Sequence, residues 1–135
     1  MPDKTYSIGE LCAEFDVTPR ALRFYEQKEL LSPIRDGQRR IFTHADRARL
    51  ILILRGKRFG FSLNEIKDLL DLYHADDGGV TQITATIDAG HRHLDELRAK
   101  RAELDAAIVD LEEHIAQAQR ILESRIAASA AEAAE

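Results

Sequence analysis

Apolar residues recur along this chain with the period of amphipathic helices, interrupted once by a short stretch of another kind. Ile8, Leu11, Cys12 and Phe15 fall at i, i+3, i+4 and i+7, which predicts a helix over 7–17, and Ser7 and Glu10 have capping-box spacing at its start. Asp16 and Val17 lead straight into Thr18-Pro19. Proline disfavours a helical residue before it, so the first helix has to stop there and the chain to turn. Thr18 is a good N-cap and Pro19 suits the first helical position, so a second helix starts at once. On it, Ala21, Leu22 and Tyr25 share one side, while Arg20, Arg23 and Gln27 share the other. Leu30 and Leu31 follow, and Pro33 closes the helical stretch. Ile34 to Phe42 holds an Asp36-Gly37 turn signal between two short runs with β-branched and aromatic residues, which predicts a small hairpin carrying Arg35, Arg39 and Arg40. Thr43 and Asp46 then open a helix that runs to about Phe59 and ends at Gly60. Ser62 and Glu65 form a further capping box, and Leu63, Ile66, Leu69, Leu70 and Tyr73 make the stripe of a fourth helix.

Beyond a polar, glycine-containing linker the pattern becomes a heptad. Ile83, Ile87, Leu94, Leu97, Leu104, Ile108, Leu111, Ile115 and Leu122 keep alternating steps of four and three, with Gly90, Arg101 and Ala118 filling the remaining seam positions. A stripe so narrow on a helix of roughly 60 Å, at about 1.5 Å per residue, needs a partner helix, most simply its symmetry mate. The expected layout is a mainly α chain: a DNA-binding domain over 5–74, a linker over 75–81, a dimerisation helix over 82–123, and an alanine-rich tail over 124–135 that frays.

Charge sharpens this picture. Residues 1–60 carry 12 Lys and Arg against 8 Asp and Glu, a net of +4, whereas residues 61–135 carry 7 against 16, a net of −9. The basic half is the one that meets a polyanion. Two short helices joined tightly, with the basic arc on the second, form a helix-turn-helix, and an arginine hairpin beside it makes a wing that grips phosphates. The DNA-facing set is Thr18 at the helix N-terminus, Arg20, Arg23, Arg35, Arg39, Arg40 and Lys57; Tyr25 and Phe42 join it only through the family resemblance that follows. An enzyme is not expected: the five histidines are scattered, His91 and His93 do not share a helix face, and no nucleophile elbow, phosphate loop or HExxH is present. No cofactor is expected. Nor is a metal site: Cys12, the one cysteine, reads as a small buried hydrophobe, and His74, Asp76 and Asp77 read as a polar loop. The longest apolar run, Leu50 to Leu54, is far too short to span a bilayer, and the first residues lack a secretory pattern, so a cytoplasmic protein is expected.

The succession I-G-E-L, T-P-R-A-L-R-F-Y-E, L-L-S-P, R-R-I-F and G-F-S-L-N-E-I, followed by a long dimerisation helix, resembles the MerR family of bacterial transcription regulators over roughly residues 5–122. The resemblance implies a winged helix-turn-helix domain and an antiparallel coiled-coil homodimer. It also implies binding to a pseudo-palindromic promoter operator in double-stranded DNA, whose distortion acts on RNA polymerase indirectly. Arg20, Arg23 and Tyr25 match the recognition-helix contacts, Arg40 the wing arginine, and Lys57 a phosphate contact at a second wing. Where the wing usually has tyrosines this chain has Arg39 and Phe42, Arg35 is a looser match, and the usual glycine after the recognition helix is Glu29. The segment I-L-R-G-K-R-F-G-F-S-L looks closest to a subgroup controlling branched-chain amino acid or acyl-CoA breakdown. A small-molecule effector, if used, is expected near Tyr73 and the start of the long helix. The alternative function is an architectural or excisionase-like DNA-bending protein without effector control.

Overall fold

The computed structural model describes residues 4–134. Helices α1 (Ile8–Phe15) and α2 (Pro19–Gln27) are followed by strands β1 (Ile34–Asp36) and β2 (Arg39–Ile41), then α3 (His44–Arg58), α4 (Leu63–Asp71), a 3-10 turn (Ala75–Asp77) and α5 (Val80–Ala134). The expected elements are all present, and local hydrogen bonds explain where most of them begin. Ser7 Oγ accepts from Glu10 N at 3.1 Å while Ser7 N donates to the Glu10 carboxylate at 3.1 Å, closing the first capping box. Thr18 Oγ1 accepts from Ala21 N at 3.1 Å. β1 and β2 pair antiparallel, with Arg35 opposite Arg40 and Asp36 opposite Arg39, and Gly37 supplies a left-handed φ of 63° in the turn.

Asp46 does more than cap α3. It is only 5% exposed, and it accepts from Thr43 N at 3.0 Å, Thr43 Oγ1 at 3.1 Å and Ser32 N at 3.1 Å. One carboxylate thus ties the loop after α2 to the start of α3, and three donors offset the cost of its burial.

Two local expectations come out differently. The Ser62 box is only half made: Ser62 Oγ accepts from Glu65 N at 3.1 Å, but the Glu65 carboxylate turns to His93 Nε2 at 2.5 Å and Arg92 at 3.8 Å. A cationic or strongly donating partner outcompetes a backbone N–H already near water. The tail expected to fray continues as helix through Ala134, as alanine, the best helix former, allows; Glu135 lies outside the described residues.

The chain divides into two compact units, the first running through His93 and the second from Leu94. The expected linker over 75–81 therefore lies inside the first unit. Asp77 caps α5 there, with Oδ1 accepting from Gly79 N at 2.8 Å and Oδ2 from Thr81 Oγ1 at 2.7 Å, bonds that hold its carboxyl below the usual range. Gln82 Nε2 donates to the carbonyls of Leu69 and Leu70 at 3.0 and 3.2 Å, Ala89 is buried, and His93 stacks on Phe61 with ring centroids 4.1 Å apart. The first turns of α5 are thus part of the domain. Its core joins Leu11, Leu22, Tyr25, Phe42, Leu50 and Ile66 in one cluster, and a forked ion pair from Arg47 to Glu14 fastens α3 to α1. Gly56 permits α3 and α4 to touch, since a Cβ there would lie 2.9 Å from Ile66.

Glu29 takes a left-handed φ of 62°, so the bend after α2 is the one glycine would give, formed by a residue with a side chain. That conformation costs an L-residue about 1–2 kcal/mol. Glu29→Gly relieves it, less the added freedom of the unfolded chain, and is expected to stabilise the protein by about 0.5–1 kcal/mol. Chemical denaturation checks this; a denaturation midpoint that stays put or falls would show that Glu29 is held there without strain.

Candidate nucleic-acid interface

Helix α2 is divided lengthwise by burial. Leu22 is fully buried and Tyr25 is 3% exposed, whereas Arg20, Arg23, Gln27 and Lys28 all face solvent. No ion pair engages Arg20 or Arg23 among the described residues, so both guanidinium groups keep their full set of forked donors. Packing of Leu22 against the core fixes this orientation, because rotating the helix to bury an arginine would bring an unpaired charge out of water.

The wing stands beside α2 and is held to it by a residue the sequence reading passed over. Glu26, the acid on α2, accepts from Arg40 Nε at 2.5 Å and sits 3.3 Å from Arg35 Nε. Arg35 and Arg40 are cross-strand partners, so two like charges that would repel are bridged by one carboxylate. The recognition helix and wing are thereby locked in a single relative position. Arg39, on the same hairpin, is exposed and makes no ion pair among the described residues. Phe24 was also passed over, although the 100° arithmetic places it beside Arg20. It is 42% exposed with Lys28 Nζ 5.6 Å from its ring, and it offers an apolar face suited to a thymine methyl group.

Two expected DNA contacts are corrected. Phe42 is fully buried, bridged to Tyr6 by reciprocal backbone bonds of 2.9 Å, and cannot reach a phosphate. Tyr25 belongs to the core: its ring packs inward and receives Lys57 Nζ at 5.7 Å from the centroid. The family resemblance put both aromatics on the DNA side, while the hydrophobic gain of burying a large ring, roughly 1.5–3 kcal/mol, holds them inside, as the helical face that Tyr25 shares with Ala21 and Leu22 already indicated. Lys57 therefore lies near the α2 side of the domain, exposed in the last turn of α3. Thr18 sits at the N-terminus of α2 as its cap. Of the expected set, Arg20 and Arg23 on α2 with Arg35, Arg39 and Arg40 on the adjoining wing form one basic array; Arg35 and Arg40 are engaged by Glu26 within it.

Cys12 is half-buried in α1, and burial pushes its thiol up despite the opposing charge of Arg23, so it stays a thiol near neutral pH. No helix among the described residues is long and apolar enough to cross a membrane.

A family model described as MerR HTH family regulatory protein matches residues 6–72, and a second, MerR, DNA binding, matches residues 47–114. The HTH-type transcriptional regulator ZntR of Escherichia coli (strain K12) is 33% identical over 103 residues, covering 75% of this chain and 72% of that protein. The structure is similar to that of a MerR family transcriptional regulator from Bacillus cereus, with a TM-score of 0.68 at 26% identity over 82% of this chain and 79% of the other. HiNmlR, a MerR family regulator lacking the sensor domain and solved bound to promoter DNA, shares the fold, with a TM-score of 0.59 at 24% identity over 76% of this chain and 80% of the other.

Proposed function

From the premise that this chain belongs to the MerR family of helix-turn-helix transcription regulators, we propose that it reads an inverted repeat in a promoter through Arg20 and Arg23 and acts by distorting that DNA. The chain is a DNA-binding regulator, not an enzyme, and works as a homodimer on operator DNA. The observation that carries the base-reading role is the lengthwise split of α2: two arginines outward in solvent, Leu22 and Tyr25 in the core. Arginine is the side chain best matched to the O6 and N7 edge of guanine, and a core-anchored helix delivers it at a fixed angle. Arg39 and Lys57 supply phosphate contacts that orient the helix, and Arg35 and Arg40 do so from a wing already positioned by Glu26. A twofold dimer doubles every one of these contacts across two half-sites.

An architectural DNA-bending role without control by a signal is the competing reading. The seam on α5, far longer than bending requires, favours a regulator. With one cysteine, the sequence lacks the thiolates for a multi-cysteine metal site, which directs the search for a signal toward other chemistries. The likeness of residues 53–63 to the subgroup controlling branched-chain amino acid or acyl-CoA breakdown supports a regulated promoter beside genes of that kind.

Selection of bound fragments from sheared genomic DNA, followed by affinity measurement across a salt series, tests these points together. The expected outcome is an inverted repeat in a promoter and a log K that falls linearly with log salt, by about 0.9 per phosphate contacted. Recovery of fragments with no shared sequence would remove the regulator reading and leave the architectural one.

A further inference from the structure

The first unit holds an apolar groove of about 380 Å³ whose walls include Leu52 and Phe59 of the α3 end, Leu69 of α4, and Ile83, Thr86 and Ile87 of α5. Leu52, Phe59, Ile83 and Ile87 are each between 45 and 55% exposed, an amount of open apolar surface that a folded domain normally covers. Ile83 and Ile87 are also the first two positions of the dimer seam, so the groove is continuous with the surface along which two copies meet.

The seam itself says which part of the second copy arrives there. Pairing two α5 helices antiparallel, with Leu97 against the partner's Ile108, brings every seam position against another seam position. The two small residues then face large ones, Gly90 against the partner's Ile115 and Ala118 against the partner's Ile87. A parallel pairing would set Gly90 on Gly90 and Ala118 on Ala118, leaving voids, and Arg101 on Arg101, a like-charge clash. The antiparallel register also sets Arg98 against the partner's Asp105 on one flank of the seam, an attraction made twice.

Thr86, and with it the groove, lies on the opposite flank. In an antiparallel pair each flank meets the same flank of the partner, and the residue brought to Thr86 is Ile121. Flank positions are normally polar, yet Ile121 is a large apolar side chain, 49% exposed, off the seam and without a packing role in its own unit. We propose that in the homodimer the partner's Ile121 enters this groove and closes it, so that the groove becomes an enclosed site only when both copies contribute. The proposal rests on the dimeric reading given above and adds the residue that fills the groove and the register that brings it there.

Paired cysteines test it in the full-length chain, on a Cys12→Ser background that removes the one native thiol. Thr86 and Ile121 of one chain are about 50 Å apart along a single helix, at about 1.5 Å per residue, so a Thr86→Cys/Ile121→Cys disulfide can form only between copies. Diamide oxidation and a non-reducing gel are expected to trap it as a covalent dimer, as they trap Leu97→Cys/Ile108→Cys. Thr84→Cys/Ile121→Cys, with its thiols on opposite flanks, is expected to give about fivefold less, since a disulfide needs Cα atoms within about 7 Å. Each variant is first checked, reduced, for native circular dichroism. If the Leu97/Ile108 pair traps dimer and the Thr86/Ile121 pair does not, the placement of Ile121 is overturned while dimerisation and DNA reading stand. If neither traps dimer, the register is overturned as well.

Discussion

Leu97→Asp is expected to convert the protein to a monomer at micromolar concentration and to lower its affinity for the full operator by about 100-fold or more. Leu97 is 42% exposed in a single chain, belongs to the second unit and is not part of the core cluster of the first, so the substitution leaves the DNA-binding domain folded. In the dimer the same position becomes a desolvated seam, where an unpaired carboxylate costs about 3–5 kcal/mol and twofold symmetry imposes that cost twice. Separating the copies also removes the gain from binding two half-sites at once, an effect worth about 10²–10⁴ in affinity. Light scattering after size exclusion reads the mass, and gel-shift titration reads the affinity. A Leu97→Asp protein that remains a dimer and binds normally would mean that the heptad stripe on α5 is not the interface.

Arg20→Ala and Arg23→Ala are each expected to weaken binding to the cognate operator by about 1–3 kcal/mol, roughly 5- to 150-fold, while binding to unrelated DNA changes little. Both side chains leave the outer face of α2 without ion pairs among the described residues, so removing either breaks no salt bridge there. Arg39→Ala supplies the contrast. It is expected to weaken binding on all sequences about equally and to reduce the salt slope by about 1, the mark of a lost phosphate contact. Titrations on the operator, on base-substituted operators and on unrelated duplex separate the two behaviours. Equal losses everywhere for Arg20→Ala and Arg23→Ala would move base recognition to other residues, with Phe24 and Gln27 next in line on the same face.

Glu26 shows why part of the interface escaped the sequence. An acid within a basic arc reads locally as a weakening of the arc. Only when the hairpin returns does one carboxylate come to lie between Arg35 and Arg40, which are apart in sequence but opposite each other across the strands. Asp46 has the same character: its bonds to Thr43 follow from spacing, and its bond to Ser32 N depends on where the loop after α2 returns.

Periodicity along the chain was enough to determine the helices, the hairpin and the outward arc of α2, because each depends on residues within a few positions of one another. The caps at Ser7, Thr18 and Thr43 followed from the same local spacing. Tertiary structure alone decided that Phe42 is core while Phe24 stands exposed. Phe42 lies two residues after Arg40 in sequence, but the side a ring buries is set by what packs over it, here Tyr6 and the helices around Leu22 and Leu50. It also decided that the domain ends at His93, since the first turns of α5 are bound by Gln82 to the α4 carbonyls and by His93 to Phe61 and Glu65, contacts between residues far apart in sequence.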